Sequence, residues 1–448
     1  MPDRSARRVC ALVLGLAVLA HAPALWGGFV YDDFNDVVRN PSAQAGQFFQ
    51  RLPQMARPLL KASYALQDAL HGPNPFGFHA VNLALHLVAT ALVLALVRRA
   101  ATLAGTPELA ALRLAALTAA LWAVHPASAE TVSYVSGRSA GLSGVLSLAA
   151  LWAATGPRPW PVAAFLSAAL APLARETALI VPLLLLAWQL CLPAPGGLRR
   201  AVPVWLGALA AALLLAALPR HQDLVAFSLT LRDPADALRG NLFAVTEMLR
   251  LWFQPWRISA VPAQPVIYGW TDLPTLLRLA ALAGAALAAL RLRRRAPLVA
   301  LAVLWTLLAL APANSLIWRL DPVAVRPLYL AGIGLALLVA CALVRVRAGP
   351  VLGAMLAAAL ALGLAAMTFQ RAGLYADAVA LFADAAAKTP GEARPLVLLG
   401  LVQANAGDAA AARATLRRAL ALDPANAEAR NALRLLEAGP PIYSPLTP

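Results

Sequence analysis

Three carboxylates fall within five residues, at Asp32, Asp33 and Asp36, in the stretch Phe29-Val30-Tyr31-Asp32-Asp33-Phe34-Asn35-Asp36. A positioned carboxylate can take the proton of a hydroxyl or ligate a metal, and acids that directly follow an apolar run are costly without a partner. An acidic loop capping a helix has the same composition; a paired carboxylate site, one member acting as base or metal ligand, is the chemical reading. A second constellation runs from His125-Pro126 to Arg138. If helical, its Glu130, Tyr134 and Arg138 share one face at four-residue spacing, and the proline-led turn sets that face at membrane depth instead of on an open surface. Arg175-Glu176 is a further charged pair, in which snorkelling to water suits the arginine better than the glutamate. Arg326-Pro327-Leu328-Tyr329, with Arg319 upstream, puts guanidinium groups at headgroup level. Their planar fork fits phosphate in a bidentate manner, so binding of one lipid phosphate stands against general lipid anchoring. His79, Asn82 and His86, at spacings of three and four, form a polar stripe that must face a bundle interior, as packing glue or as a substrate contact.

The elements that position these groups are long apolar helices. The chain has 448 residues, 61% hydrophobic and only 13% charged, with a mean hydropathy of +0.69. That composition excludes a disordered chain and a disulfide scaffold. The net charge of +16 is no nucleic-acid signal, because the cations, 35 of 37 of them arginine, punctuate apolar runs. Cys10, Cys191 and Cys341 have no metal-ligand spacing and read as small apolar residues. A spanning helix needs about 20 mostly apolar residues. Eleven such segments are expected, near 9–26, 78–97, 109–124, 139–155, 159–173, 177–193, 202–218, 273–290, 297–313, 327–344 and 350–368. The first resembles a signal peptide ending at Ala20-His21-Ala22, but its apolar run continues to Trp26, and an uncleaved helix is expected.

With the N-terminus inside, the inner loops collect fifteen arginines against two acids, Asp3 and Glu108, and twelve carboxylates fall on the outer side. The stretch 241–256, apolar but broken by Glu247 and Arg250, reads as an outer interfacial helix. Beyond the eleventh segment the chain turns into Ala-rich helix with Asp, Arg and Glu, and Pro390 and Pro424 stand 34 residues apart. That offset puts Leu399, Gly400, Ala412, Leu416 and Ala419 at the small and apolar positions of a tetratricopeptide repeat, with Ala378, Phe382 and Ala385 in the preceding half unit. So short an array is expected to dock on the membrane domain or a partner. The expected organisation is all-α: a membrane domain over 1–369, repeats over 370–438 on the outer face, and a disordered, Pro-rich tail over 439–448.

These stretches together resemble the lipid-linked-sugar glycosyltransferases of the GT-C superfamily, within it the transmembrane and tetratricopeptide-repeat-containing O-mannosyltransferase-like proteins. The similarity lies in FVYDDFNDVVRNP, RPLLKASYALQDALHGPNPFGFHAVNLALHL, HPASAETVSYVSGR, the RET segment at 175, VRPLYLAGIG and the repeats. The sequence departs from the family pattern at Ala324-Val325, where an acid before Arg326 would be expected. The resemblance implies transfer of a sugar, mannose in the best-known members, from a polyprenyl-phosphate donor to a protein hydroxyl at the outer face of a bacterial inner membrane or of the endoplasmic reticulum. It aligns Asp32 with the first and Asp33 with the second of the paired acids; Asp32 is the expected base or its metal-bound equivalent, with Asp33 and Glu130 in support. Arg326, Arg138, Arg175 and Tyr329 are then the donor-phosphate residues; His125, Glu176, His79, Asn82 and His86 support them, and a divalent metal is an open option. The competing classes are a non-catalytic scaffold that recruits a partner through its repeats and a transporter, although no paired halves or broken helices of the transporter kind are evident.

Overall fold

In the computed structural model, residues 4–193, 197–231, 233–263, 268–314, 323–345 and 349–438 are described, and no strand occurs among them. The expected tail at 439–448 and the residues Asp3, Arg319, Asp321 and Arg347 lie outside the described residues. Helices follow in the order α1 (Arg4–His21), α2 (Pro58–His71), α3 (Pro75–Leu103), α4 (Glu108–Ala123), α5 (Arg138–Thr155), α6 (Pro161–Ala174), α7 (Val181–Cys191), α8 (Val202–Ala217) and α9 (Pro219–Leu231). The order continues with α10 (Pro234–Phe253), α11 (Leu273–Leu292), α12 (Pro297–Leu310), α13 (Leu328–Arg345), α14 (Pro350–Leu374), α15 (Ala378–Lys388), α16 (Ala393–Asn405), α17 (Ala409–Leu422) and α18 (Ala427–Ala438). Proline stands in the first turn of most of them, where its missing N–H costs no helical bond.

Each of the eleven expected apolar segments is helical, but not all are full-length spans. Five helices among the described residues are long and apolar enough to cross a membrane, and seven if α4 with Pro126–Ser133 and α8 with α9, bent by 54° and 79°, each count as one. Helices α6 and α12 have 14 residues each, about 21 Å at 1.5 Å per residue, short of the roughly 30 Å hydrocarbon core. The expected interfacial helix at 241–256 coincides with α10 as far as Phe253, and a separate turn at Pro255–Arg257 follows.

One apolar core joins α3, α4, α5, α7, α12 and α13, rich in alanine where helices cross closely. The polar stripe of α3 faces this interior. His86 bonds the Ala123 carbonyl and the Tyr329 hydroxyl, each at 3.0 Å, and Asn82 donates to the Tyr134 carbonyl at 3.0 Å. His79 lies 3.4 Å from the Gly28 carbonyl. These groups tie α3 to the ends of α4 and α13.

Helix α14 runs unbroken to Leu374, and α15 to α18 follow as antiparallel neighbours. Gly400 of α16 sits where a Cβ would lie 2.7 Å from Cγ of Leu416 on α17, so any larger residue would displace that leucine from the crossing. The four helices bury Phe382, Ala385, Leu416 and Ala419 in a core of their own. That core also includes Val261 from the loop after α10, so the array docks on the membrane domain. Arg371 of α14 and Lys388 of α15 both donate to the Ile258 carbonyl, at 2.7 and 3.0 Å, fixing the junction.

Candidate active site

The first loop turns sharply at Tyr31, whose φ of +50° is the single positive value of a non-glycine residue among those described. For a Cβ-bearing residue this left-handed conformation is strained, and such strain persists only when surroundings enforce it. Here the Tyr31 ring meets Phe382 of α15 edge to face at 5.5 Å, and the Asp32 amide donates to the Tyr134 hydroxyl at 2.8 Å. The turn sends the two neighbouring acids to different places.

Asp33 points inward and is fully buried. Its carboxylate accepts from the Val30 amide at 3.1 Å and from the Ser136 amide and hydroxyl at 2.7 and 2.8 Å. Burial pushes its pKa up to about 7 against the pull of those hydrogen bonds. Ser136, and not Arg138, is its side-chain partner, because Arg138 is itself enclosed between the Tyr64 and Phe78 rings and bonds Asn82 and the Phe78 carbonyl at 2.9 and 3.0 Å. Arg138 is 0% exposed and lines neither the cavity that Asp32 faces nor the one beside Arg175. Asp33 and Arg138, grouped from the sequence with the catalytic and phosphate-binding residues, thus sit in the packing that joins the first loop to the start of α5. Gly137 makes that join possible, since a Cβ there would run into the carbonyl of Glu130.

Asp32 faces a cavity of about 250 Å³ between the bundle and the C-terminal helical array. Glu130, Tyr134, Arg326 and Tyr375 line it from the bundle side, and Leu381, Phe382, Arg394 and Leu398 from the array. The Arg326 Nε donates to Glu130 at 2.8 Å, with the guanidinium 5.0 Å from the centre of the Tyr134 ring. Burial disfavours the charge on Arg326, but Glu130, Tyr134 and Asp32 hold its pKa above the usual value. Nε is one of five N–H donors.

Arg326 also borders a second, smaller cavity along α5, together with Arg175, Thr177, Ser143, Ser147 and Tyr329. Arg175 is 5% exposed and donates to the Ser139 hydroxyl at 3.1 Å. Three of the four residues expected at a donor phosphate therefore border one small cavity, of about 30 Å³, and Arg326 also lines the acidic cavity. Glu176 turns away from it and forms a bidentate pair with Arg57 at 3.0 Å. Burial would raise the Glu176 pKa, but Arg57 and His221 hold it far below the usual carboxylate range. His125 stacks on Trp252 at 4.5 Å and bonds the Trp252 carbonyl at 2.9 Å, a structural position at the start of its loop. Among the described residues no group of three His, Cys, Asp or Glu side chains is arranged to hold a metal ion.

Sequence reasoning passed over Arg57, Tyr375 and Arg394. Arg57 stands in the motif RPLLK, but its partner lies 119 residues away and no local pattern points to it.

The fold and the cavity define a multi-pass helical membrane protein with an acid–arginine site at the junction with a helical array. No family model matches the chain, and no solved structure does. Mouse protein O-mannosyl-transferase TMTC1 is 32% identical over 159 residues, which cover 31% of this chain and 16% of that protein. Protein O-mannosyl-transferase Tmtc2 of Drosophila melanogaster is 36% identical over 146 residues (29% and 15%), and F38B6.6 of Caenorhabditis elegans, of the same description, 28% over 155 (31% and 22%). The chain is similar to these O-mannosyl-transferases over less than a third of its length, and the match spans under a quarter of theirs.

Proposed function

We propose that this chain is a membrane glycosyltransferase that moves a sugar, mannose by analogy with its relatives' names, from a polyprenyl-phosphate donor to a Ser or Thr hydroxyl of a protein at the outer face. The observation that carries this reading is the convergence of Asp32, Glu130 and Arg326 on one cavity from three separate segments of the chain. Such a site can do what the transfer requires. Asp32 accepts the proton of the acceptor hydroxyl, the oxygen attacks the anomeric carbon, and the bond from that carbon to the phosphate oxygen breaks. The polyprenyl phosphate leaves with the electron pair. Arg326, at the meeting of the two cavities, stabilises charge building on the leaving phosphate, which helps most where water is scarce. Glu130 orients Arg326, and Arg175 and Tyr329 border the small cavity beside Arg326, on the side from which the lipid-borne phosphate would approach.

Asp32→Asn keeps the shape of the side chain and removes its basicity. Assayed in membranes with polyprenyl-phosphate mannose and a Ser/Thr peptide, transfer is expected to fall by roughly 10²- to 10⁴-fold with unchanged expression. Near-normal turnover would remove Asp32 as base. Retention of activity in Glu130→Gln as well would favour the scaffold.

A further inference from the structure

The left-handed turn at Tyr31 is pinned at both neighbours. The Asp33 carboxylate accepts from the Val30 amide before it at 3.1 Å, and the Tyr134 hydroxyl accepts from the Asp32 amide after it at 2.8 Å. The Tyr31 side chain packs against two apolar clusters at once, one built by Val30, Tyr134, Tyr375 and Leu381 and the other by the core of the C-terminal array with Phe382. A residue that carries a Cβ adopts a φ of +50° only at a cost, and an edge-to-face aromatic pair returns an amount of the same order. The Tyr31–Phe382 pair, at 5.5 Å and 73°, is therefore strong enough to decide whether the turn persists. Phe382 stands in the second turn of α15 and is 2% exposed, so the packing of the array fixes it in turn.

We propose that Phe382 and Tyr31 are positioning residues: docking of the array keeps Tyr31 left-handed, and that turn aims Asp32 into the cavity. Relaxation of Tyr31 to negative φ rotates the chain at this point, so the Asp32 amide leaves the Tyr134 hydroxyl and the carboxylate loses its place among the lining groups. The site is then competent only with the array seated, although neither ring takes part in the proton transfer. The role of Asp32 as base rests on the transferase reading; the coupling of the turn to the array does not.

The test uses the full chain in lipid nanodiscs. Tyr31→Ala removes the ring and keeps the Cβ that makes the turn costly, whereas Tyr31→Gly removes both. With polyprenyl-phosphate mannose and a Ser/Thr peptide, Tyr31→Ala is expected to lower kcat by roughly 10- to 10²-fold, the effect of a small misplacement of a reacting group, with little change in KM. Tyr31→Gly should keep several times more activity than Tyr31→Ala; simple loss of packing predicts the reverse order. Phe382→Leu, which keeps the array core filled, should act in the same direction as Tyr31→Ala, and the two combined should add nothing further. In hydrogen exchange, Tyr31→Ala and Phe382→Leu should both speed exchange across 29–36 while α16 and α17 stay protected; should array protection also fall in Phe382→Leu, the Tyr31 variants decide alone. Activity of Tyr31→Gly at or below that of Tyr31→Ala, or unchanged exchange across 29–36 in both Tyr31→Ala and Phe382→Leu, overturns the inference. Faster exchange in the variants of a wild type that transfers no sugar leaves the coupling standing and removes the transferase reading; transfer by the wild type with exchange unchanged in the variants does the opposite.

Discussion

Adjacent acids take opposite roles at this site because a single strained residue separates their directions. Asp32 reaches a cavity, and Asp33 is enclosed by Val30 and Ser136. Asp33 has a raised folded pKa, from 3.8 to about 7, so the folded state holds a proton that the unfolded chain releases at lower pH. Its contribution to stability is full below the unfolded value and is lost as pH rises through about 7. The melting temperature of the wild type in nanodiscs is therefore expected to decline between pH 4 and 7 through this group, and Asp33→Asn should flatten that slope. Glu176, held below its ordinary range by Arg57, acts oppositely and in a separate window. Its stabilisation is present above the unfolded carboxylate value and fades as the medium becomes more acidic. Arg326 makes the second residue-scale prediction. Arg326→Ala should lower transfer by about 10²- to 10³-fold, and Arg326→Lys should recover little, since a point charge does not reproduce the fork. Full activity in Arg326→Ala, measured by single-turnover assay, would take the phosphate away from this residue.

The helices approach one another through small residues, and the C-terminal array shows it most plainly. Gly400 lets α16 lie against Leu416 of α17. Gly400→Leu is expected to cost about 1–3 kcal/mol of array stability through overpacking, read as lost protection of α16 and α17 in hydrogen exchange while α3 and α5 stay protected. Unchanged protection would mean that this crossing does not hold the array together. The 34-residue offset placed Gly400, Ala412, Leu416 and Ala419 together in the sequence, and α16 and α17 bring them into contact. The same offset placed Phe382 of α15 in the preceding half unit but did not show its contact with Tyr31, which links the array to the strained turn beside Asp32.

Across the molecule, the number of crossings decides which loops share a side. Eleven crossings put the arginines at 291–295 inside, whereas the five or seven full-length spans put them outside; in every case the C-terminus lies opposite the N-terminus. A reporter inserted among Arg293 to Arg295 is expected to read inside, in keeping with the arginine bias, and one fused after Pro448 to read outside. An outside signal at 293–295 would reduce the short helices α6 and α12 to elements that enter the bilayer without crossing it.

What the sequence determined by itself is what period and composition control. Apolar runs specify helices because lipid leaves the backbone no other partner, and the repeat offset, the inward stripe of His79, Asn82 and His86, and the acids after α1 are all local patterns. The tertiary structure decided which charged side chains meet. Asp32, Glu130, Arg326 and Arg394 are separated by tens to hundreds of residues, and nothing in their local spacing distinguishes Arg326 beside a cavity from Arg138 locked between two rings. Adjacent in the sequence, Asp32 and Asp33 were parted by a backbone turn at Tyr31 that contacts from the distant Phe382 and Tyr134 accompany. Periodicity reports how a segment meets its own helix; a site is made by chain crossings, and those follow from packing the whole bundle against the array.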